Sequence, residues 1–177
     1  MTLILCGFKN CGKSTFGAAL AQSLGWPFVD SDDLLIEAFN SGGEVAKSVA
    51  DIYRKLGPPP FRKLECDVIT SLQPLKPIVL ATGGSTILQE SCAHHLKSIG
   101  KLIYLRAERE ALFSRMTKAA TLPAFIDKNA PRASFDDHYN SRVQGYEDIA
   151  DMIIETDNKS RNQVLEELEN LGAFDVQ

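Results

Sequence analysis

The sequence has no long hydrophobic run and no excess of positive charge. None of the apolar stretches among its 177 residues approaches the roughly 18 residues of a transmembrane helix, and the first is too short for a signal peptide. The 23 acidic residues outnumber the 19 basic ones, which gives a formal net charge of -4. That balance argues against a nucleic-acid-binding face. We therefore expect a cytoplasmic protein whose partners are neither nucleic acids nor membranes.

Metal-binding and disulfide patterns are also absent from the sequence. The four cysteines form no C-x-x-C pair and, with the three histidines, no zinc-site spacing. Reduced thiols in a cytosolic protein explain them best. A length of 177 residues predicts one domain, 1–177, that is large enough for a sizeable core. We see no internal repeat.

A phosphate-binding loop follows the first predicted strand. The run Leu3–Leu5 is apolar, as in a buried parallel strand, and the loop matches the pattern G-x-x-x-x-G-K-[ST]. Backbone N–H groups of such a loop and the start of the next helix bind nucleotide phosphates. Lys13 is expected to bind the β- and γ-phosphates, and the Ser14 hydroxyl to bind Mg²⁺. The predicted nucleotide-binding residues here are Gly7, Asn10, Cys11, Gly12, Lys13, Ser14 and Thr15.

Acidic residues follow the second predicted strand, at the strand end where α/β sheets bind ligands. Asp30 and Asp32 are two residues apart, so both can face one pocket if the chain is extended there. The alternative is helix capping by Ser31 or Asp32. A phosphate loop needs a carboxylate for its magnesium ion, which favours a functional role for this cluster.

Two further stretches carry candidate binding groups, one on a predicted helix and one after a predicted strand. Arg62 and Glu65 are three residues apart on a predicted helix, either as a surface ion pair or as an arginine that Glu65 orients toward a substrate anion. The three prolines before this helix predict a stiff connector. Gly83 and Gly84 follow a strongly apolar strand, where they form a tight turn or let a ligand approach the backbone.

Five short predicted strands alternate with helices along the chain. This pattern predicts an α/β fold with a five-stranded parallel sheet and helices on both faces. Residues of about 118–134 have no clear period and contain two prolines. A stretch of that kind is often a mobile lid over an active site.

In these motifs, their order and their spacing, the sequence resembles the shikimate kinases, within the nucleoside-monophosphate-kinase-like P-loop group. The resemblance spans nearly the whole chain. It implies a three-layer P-loop kinase fold, with substrate-binding helices at about 33–71. It also implies transfer of the γ-phosphate of ATP to the 3-hydroxyl of shikimate in the presence of Mg²⁺, by a protein that we expect to be a monomer.

The resemblance also implies residue roles. Lys13 and Asp32 are the expected catalytic residues, Asp32 taking the proton of the attacking hydroxyl. Ser14 and Asp30 are the expected metal-binding residues. Beyond the loop, the implied adenine contacts are Arg115 and Lys159. The implied substrate contacts are Asp32, Arg62, Gly83, Gly84 and Arg142, with Glu65 orienting Arg62.

The sequence departs from the family pattern at two positions. Ser85 stands where the family has a third glycine, and it fits only if its backbone angles allow a Cβ atom. Leu122, before Pro123, stands where the family has a lid arginine. Either another lid cation takes the role of this arginine, or turnover is weak, or the acceptor is a different molecule. The other cations of the lid are Lys118, Lys128 and Arg132.

Two other functions are compatible with parts of the pattern. A gluconate-type sugar-acid kinase shares the phosphate loop, but Asp32, Arg62 and Arg142 argue against it. A non-catalytic nucleotide-binding protein of this family is supported only by Leu122, while intact Lys13 and Asp32 count against it.

Overall fold

A parallel sheet of five strands forms the centre of the chain in the computed structural model, which describes residues 2–119, 122–123 and 125–173. Its strand order is β2-β3-β1-β4-β5, and every neighbouring pair is parallel. β1 is therefore the middle strand, and its five residues are all buried. The strands are β1 (Thr2–Cys6), β2 (Phe28–Asp30), β3 (Val79–Ala81), β4 (Gly100–Arg106) and β5 (Met152–Glu155).

Helices connect the strands, as parallel pairing requires. They are α1 (Lys13–Leu24), α2 (Ser31–Ser41), α3 (Val49–Leu56), α4 (Pro58–Thr70), α5 (Glu90–Ile99), α6 (Arg109–Thr117), α7 (Pro131–Ile149) and α8 (Arg161–Ala173). A 3₁₀ turn, Thr86–Leu88, precedes α5. This architecture confirms the predicted α/β fold. Within the described part of the chain, none of the helices has both the length and the apolar character of a membrane span.

The buried apolar residues form two separate clusters. The larger lies around the sheet and includes Leu3, Leu80 and Ile103, all fully buried. The smaller joins α2, α3 and α4 and consists of Leu35, Phe39, Ala46, Ile52 and Phe61. The helices after β2 thus have a hydrophobic core of their own beside the main one.

Two boundaries differ from the sequence prediction. The three prolines are not a connector: they form the first turn of α4, which begins at Pro58. The first turn of a helix tolerates proline because its N–H groups have no partner inside the helix. Helix α7 likewise begins at Pro131, inside the predicted lid of about 118–134 and before the helix start that the sequence predicts at residue 135. Residues 120, 121 and 124 of that segment lie outside the described residues.

Candidate active site

The phosphate loop bends tightly between β1 and α1. Gly7 and Gly12 have φ angles of 137° and 103°, a region that residues with a Cβ atom rarely adopt. Asn10 has a φ of 68°, which asparagine tolerates better than most residues. The Lys13 ammonium lies inside the curl and donates 2.9 Å hydrogen bonds to the carbonyl oxygens of Gly7 and Phe8. The loop therefore holds its lysine against its own backbone.

The remaining loop residues place oxygen and N–H groups at the start of α1. Ser14 and Thr15 lie in its first turn, where free N–H groups favour anions. Cys11 is buried, and its backbone N–H donates a 3.3 Å hydrogen bond to the Phe8 carbonyl. The Ser14 hydroxyl donates a 2.7 Å hydrogen bond to the Asp30 carboxylate.

The Ser14 and Asp30 oxygens form the place where a magnesium ion fits. Hydroxyl and carboxylate oxygens are ligands that Mg²⁺ prefers, and Mg²⁺ keeps several waters or phosphate oxygens of its own. No group of three His, Cys, Asp or Glu side chains that could hold a metal occurs among the described residues. The two oxygen donors that the protein offers here are those of Ser14 and Asp30.

Asp30 also caps helix α2. Its carboxylate accepts a 3.0 Å hydrogen bond from the Asp32 backbone N–H, so the cap is Asp30 and not Ser31 or Asp32. The Ser31 hydroxyl instead accepts a 2.8 Å hydrogen bond from the Gly83 N–H. Capping and the Ser14 contact use different oxygens of Asp30. The capping bond thus fixes the carboxylate that faces the phosphate loop.

Asp32 is a half-buried carboxylate at the start of α2. Burial raises the pKa of its carboxyl above the ordinary value, and the neighbouring Asp30 carboxylate raises the pKa further. Lys9 and Lys13 act in the opposite direction and lower the pKa. A carboxylate with a raised pKa is a stronger base than an exposed one, which is what proton abstraction from a hydroxyl requires.

Two side chains, those of Glu65 and Ser85, hold the Arg62 guanidinium. It donates a 2.8 Å hydrogen bond to Glu65 and a further hydrogen bond to the Ser85 hydroxyl. Glu65 is only 8% exposed, and it also accepts hydrogen bonds from Thr86 (2.8 Å) and Gln89 (2.7 Å). This arrangement fits an oriented arginine better than a surface ion pair.

The turn after β3 brings three elements close together. A Cβ atom on Gly83 would lie 2.7 Å from the Thr86 hydroxyl and 3.0 Å from the Glu65 carboxylate, so glycine is needed there for close approach. The Gly84 carbonyl accepts a hydrogen bond from the Tyr146 hydroxyl of α7. Ser85 has a φ of -122°, which any residue can adopt. The third-glycine position therefore accommodates serine without strain.

These groups line one cavity of about 400 Å³, a size typical of small-molecule sites. Its lining residues are Lys9, Asp32, Val49, Ala50, Tyr53, Phe61, Arg62, Glu65, Gly83, Gly84, Ser85, Leu122, Pro123, Phe125, His138 and Arg142. The cavity thus brings together all five predicted substrate-binding residues.

A stack of three side chains forms the lid side of the cavity. The Arg142 guanidinium lies 5.6 Å from the centre of the Phe125 ring, and the His138 ring lies 4.5 Å from it. Burial lowers the pKa of His138, and the Arg142 charge lowers the pKa further. Phe125 therefore has one cation and one neutral imidazole against its ring at neutral pH.

The two predicted adenine-binding residues lie apart from this cavity. Arg115, on α6, donates to the Asn10 carbonyl (3.3 Å) and to the Asp157 carboxylate (3.4 Å). It therefore connects the phosphate loop with the turn after β5. Lys159, in that turn, forms an ion pair of 2.6 Å with Glu167 of α8.

Leu122 and Pro123 occupy the cavity wall at the predicted lid position. Of the other lid cations, Arg132 is engaged: it donates to Glu110 (2.7 Å) and Asp136 (3.0 Å). Lys118 and Lys128 are exposed, and neither lines the cavity.

Sequence reasoning missed two polar residues of the cavity, Lys9 and His138. Lys9 could have been found as a positively charged residue at a position of the phosphate loop for which the motif specifies no residue type. His138 precedes Arg142 by four residues on α7, a spacing that places both side chains on one helix face. Phe125 gave no signal, because it lies in a segment without periodicity.

The chain is similar to proteins of one family in sequence and in structure. The family model described as shikimate kinase matches residues 9–171. The shikimate kinase of Histophilus somni is 33% identical, over 96% of this chain and 95% of its own. That of Haemophilus influenzae is 32% identical, over 97% and 94%. The structure of shikimate kinase from Acinetobacter baumannii in complex with shikimate has a TM-score of 0.83 and 29% identity, covering 99% of this chain and 95% of that one. This chain belongs to the shikimate kinase family.

Proposed function

We propose that the chain transfers the γ-phosphoryl group of ATP to the 3-hydroxyl of shikimate. Membership of a kinase family implies that it uses ATP. The observation that carries the proposal is the single cavity in which the Asp32 carboxylate, Arg62 and Arg142 lie beside the phosphate loop. Two arginines fit a carboxylate, and a basic Asp32 fits a hydroxyl. A carboxylated polyol is therefore the acceptor that this charge pattern favours.

The proposed reaction is one in-line displacement. Asp32 takes the proton of the 3-hydroxyl, whose oxygen forms a bond to the γ-phosphorus. The bond between that phosphorus and the oxygen that bridges to the β-phosphate breaks, and ADP leaves. Arg62 and Arg142 bind the acceptor's carboxylate, and backbone groups of Gly83 and Gly84 contact the acceptor. The Gly83 N–H already donates to Ser31, and the Gly83 carbonyl accepts a 3.3 Å hydrogen bond from the Thr86 N–H, so an acceptor's hydroxyl would share that carbonyl.

The phosphate loop has the matching role for ATP. Its N–H groups and the Lys13 ammonium bind the phosphates, and Lys13 is already held at the loop. We propose that Ser14 and Asp30 hold Mg²⁺, Asp30 through water. The bound metal neutralises charge on the β- and γ-phosphates. Arg115 and Lys159 are the proposed contacts to adenine.

The remaining proposals concern the whole molecule. We propose a single-domain, cytoplasmic monomer, without nucleic-acid or membrane partners, in which the segment of about 118–134 closes over bound substrates. Closure excludes water, which is otherwise a competing acceptor. Light scattering on a size-exclusion column tests the oligomeric state against the chain mass of 19.5 kDa.

The test of the function is ADP release from MgATP with shikimate, with gluconate and with no acceptor. Release that depends on shikimate is the expected result, with a product that carries phosphate on the 3-oxygen by ³¹P and ¹H NMR. Release with gluconate alone would identify a sugar-acid kinase. Nucleotide binding without release under any condition would identify a non-catalytic protein.

A further inference from the structure

We infer that Lys9 is a second catalytic cation of the phosphate loop, whose ammonium binds the phosphoryl group during its transfer to the acceptor. Lys9 lies two residues after Gly7 in the loop, yet it lines the acceptor cavity together with Asp32 and Leu122. It is thus part of the nucleotide-binding loop and of the acceptor site at the same time. This inference rests on the proposed phosphoryl transfer.

The backbone around Lys9 fixes this position. Phe8, the preceding residue, is buried among Phe125, Phe135 and Tyr139, with ring-centre distances of 5.5–5.9 Å. Asn10, the following residue, has a left-handed backbone. The Lys9 N atom lies 3.5 Å from the position that a Cβ atom on Gly84 would take. Lys9 is therefore anchored at the contact between the phosphate loop and the acceptor turn.

The electrostatics indicate that the Lys9 charge acts on the Asp32 carboxylate. Among the cations that lower the pKa of Asp32, Lys9 has the largest effect and exceeds Lys13. A lysine charge lowers the pKa of a carboxyl group more strongly when the two groups are closer together or when less solvent screens them. This effect agrees with the presence of Lys9 and Asp32 in the lining of one cavity.

The other cations near the cavity are already held by protein groups. Lys13 donates to two loop carbonyls, Arg62 to Glu65 and Ser85, and Arg142 lies over Phe125. By contrast, the exposed Lys9 side chain has no hydrogen-bond or ion-pair partner among residues 2–119, 122–123 and 125–173. A free, flexible ammonium is the group that can follow a charge that moves from donor to acceptor.

The chemistry of the transfer requires such a group. Negative charge on the three equatorial oxygens of the phosphoryl group must be neutralised while its bond to ADP breaks and its bond to the acceptor forms. Leu122, which also lines the cavity, is apolar and supplies no charge for this purpose. Lys9 changes no bond of its own during the transfer. Its contribution is electrostatic and is made mainly in the transition state.

The test compares Lys9→Met with Lys9→Arg and with Lys63→Met. Methionine keeps the apolar stem and removes the charge. Lys63 is a matched control because its side chain is 76% exposed and pairs with Asp67 on the outer face of α4. Lys9→Met is expected to lower kcat about 100-fold, with the KM of shikimate and the Kd of ADP changed less than about 3-fold. Lys9→Arg is expected to retain most of the rate, and Lys63→Met all of it.

A second change separates charge from local structure. Leu122→Arg, made in the Lys9→Met background, places a cation on the wall of the same cavity, and we expect it to restore about 10-fold of the lost kcat. A misfolded loop cannot be rescued in this way. ADP binding by calorimetry and the thermal midpoint of each variant verify that the phosphate loop is intact.

Three results would overturn the inference. The first is a kcat of Lys9→Met within about 3-fold of wild type. The second is a loss confined to the KM of shikimate, which makes Lys9 a binding residue only. The third is a large loss of kcat in Lys118→Met or Lys128→Met that exceeds the loss in Lys9→Met. Failure of the proposed function looks different, because then wild type itself releases no ADP in response to shikimate.

Discussion

The Arg62 guanidinium donates a 2.8 Å hydrogen bond to the Glu65 carboxylate, three residues later on α4. Glu65 is buried and accepts two further hydrogen bonds. The pair therefore directs Arg62 toward the cavity instead of stabilising the helix surface. An arginine oriented in this way loses less conformational entropy when it binds a carboxylate than a mobile one does.

Arg62→Ala and Glu65→Gln separate binding from orientation. We expect Arg62→Ala to raise the KM of shikimate about 100-fold, and Glu65→Gln about 10-fold, since the latter keeps the arginine but loosens it. The KM of ATP stays near the wild-type value in both. Steady-state kinetics with each substrate varied checks this, with Lys63→Ala on the same helix as control. An unchanged shikimate KM in Arg62→Ala would place the carboxylate elsewhere.

Asp32→Asn tests the general base. Asparagine keeps the size of the side chain but cannot accept the proton of the hydroxyl. We expect kcat to fall by about 10³-fold or more, while calorimetry finds the Kd of ADP within about 3-fold of wild type. A variant with a near-normal rate would exclude Asp32 as the base.

Gly83→Ala and Gly84→Ala form a matched pair for the turn after β3. A Cβ atom at residue 83 lies 2.7 Å from Thr86 and 3.0 Å from Glu65, whereas at residue 84 the nearest atom is 3.5 Å away. We expect Gly83→Ala to lower the free energy of unfolding by about 1–3 kcal/mol and Gly84→Ala to lower it less. Urea denaturation of both variants measures the difference. Equal losses would contradict the close packing at Gly83.

His138 predicts a pH dependence of stability. Burial and Arg142 lower the pKa of its imidazole, so the unfolded chain binds this proton at a higher pH than the folded one. The contribution of the neutral His138 ring to the free energy of unfolding is therefore fully present above the ordinary pKa of about 6.5. It is lost as the pH falls from that value through the lower pKa of the folded state. We expect His138→Gln to weaken the loss of stability between about pH 7 and pH 5.

The exposed His94 supplies the control for this experiment. His94→Gln shows how much of the change comes from replacing a histidine at an exposed position. An NMR titration of the wild type gives the pKa of each ring directly. A His138 resonance that titrates at or above the ordinary value for histidine contradicts the structural explanation.

The parts of the molecule that local sequence determines were predicted correctly. The phosphate loop depends on residue types at fixed spacing, and the buried strands depend on short apolar runs, so both follow from adjacent residues. The alternative that Ser31 or Asp32 caps α2 was wrong, because Asp30, Ser31 and Asp32 are all good capping residues. The hydrogen bond from the Asp32 N–H to the Asp30 carboxylate identifies the cap, and the Ser31 hydroxyl instead accepts from the Gly83 N–H, 52 residues later.

Side-chain direction could not be predicted in the same way. Lys9 occupies a loop position that the motif leaves unspecified, and its backbone lies close to Gly84, 75 residues later. The start of α7 at Pro131 was missed because proline in a first helical turn resembles a loop residue in sequence. The position of Lys9 thus depends on a distant segment, whereas the start of α7 is a local ambiguity.

The separate apolar cluster of α2, α3 and α4 has a consequence for the dynamics of the protein. A group of helices with its own small core can open as a unit without unfolding the sheet. Amide hydrogen exchange should therefore be faster in α2, α3 and α4 than in β1. Since Arg62 lies on α4 and Asp32 on α2, an acceptor bound by both joins two members of that unit. Shikimate should then slow exchange selectively in these helices, so that the acceptor itself completes the folding of its own binding site.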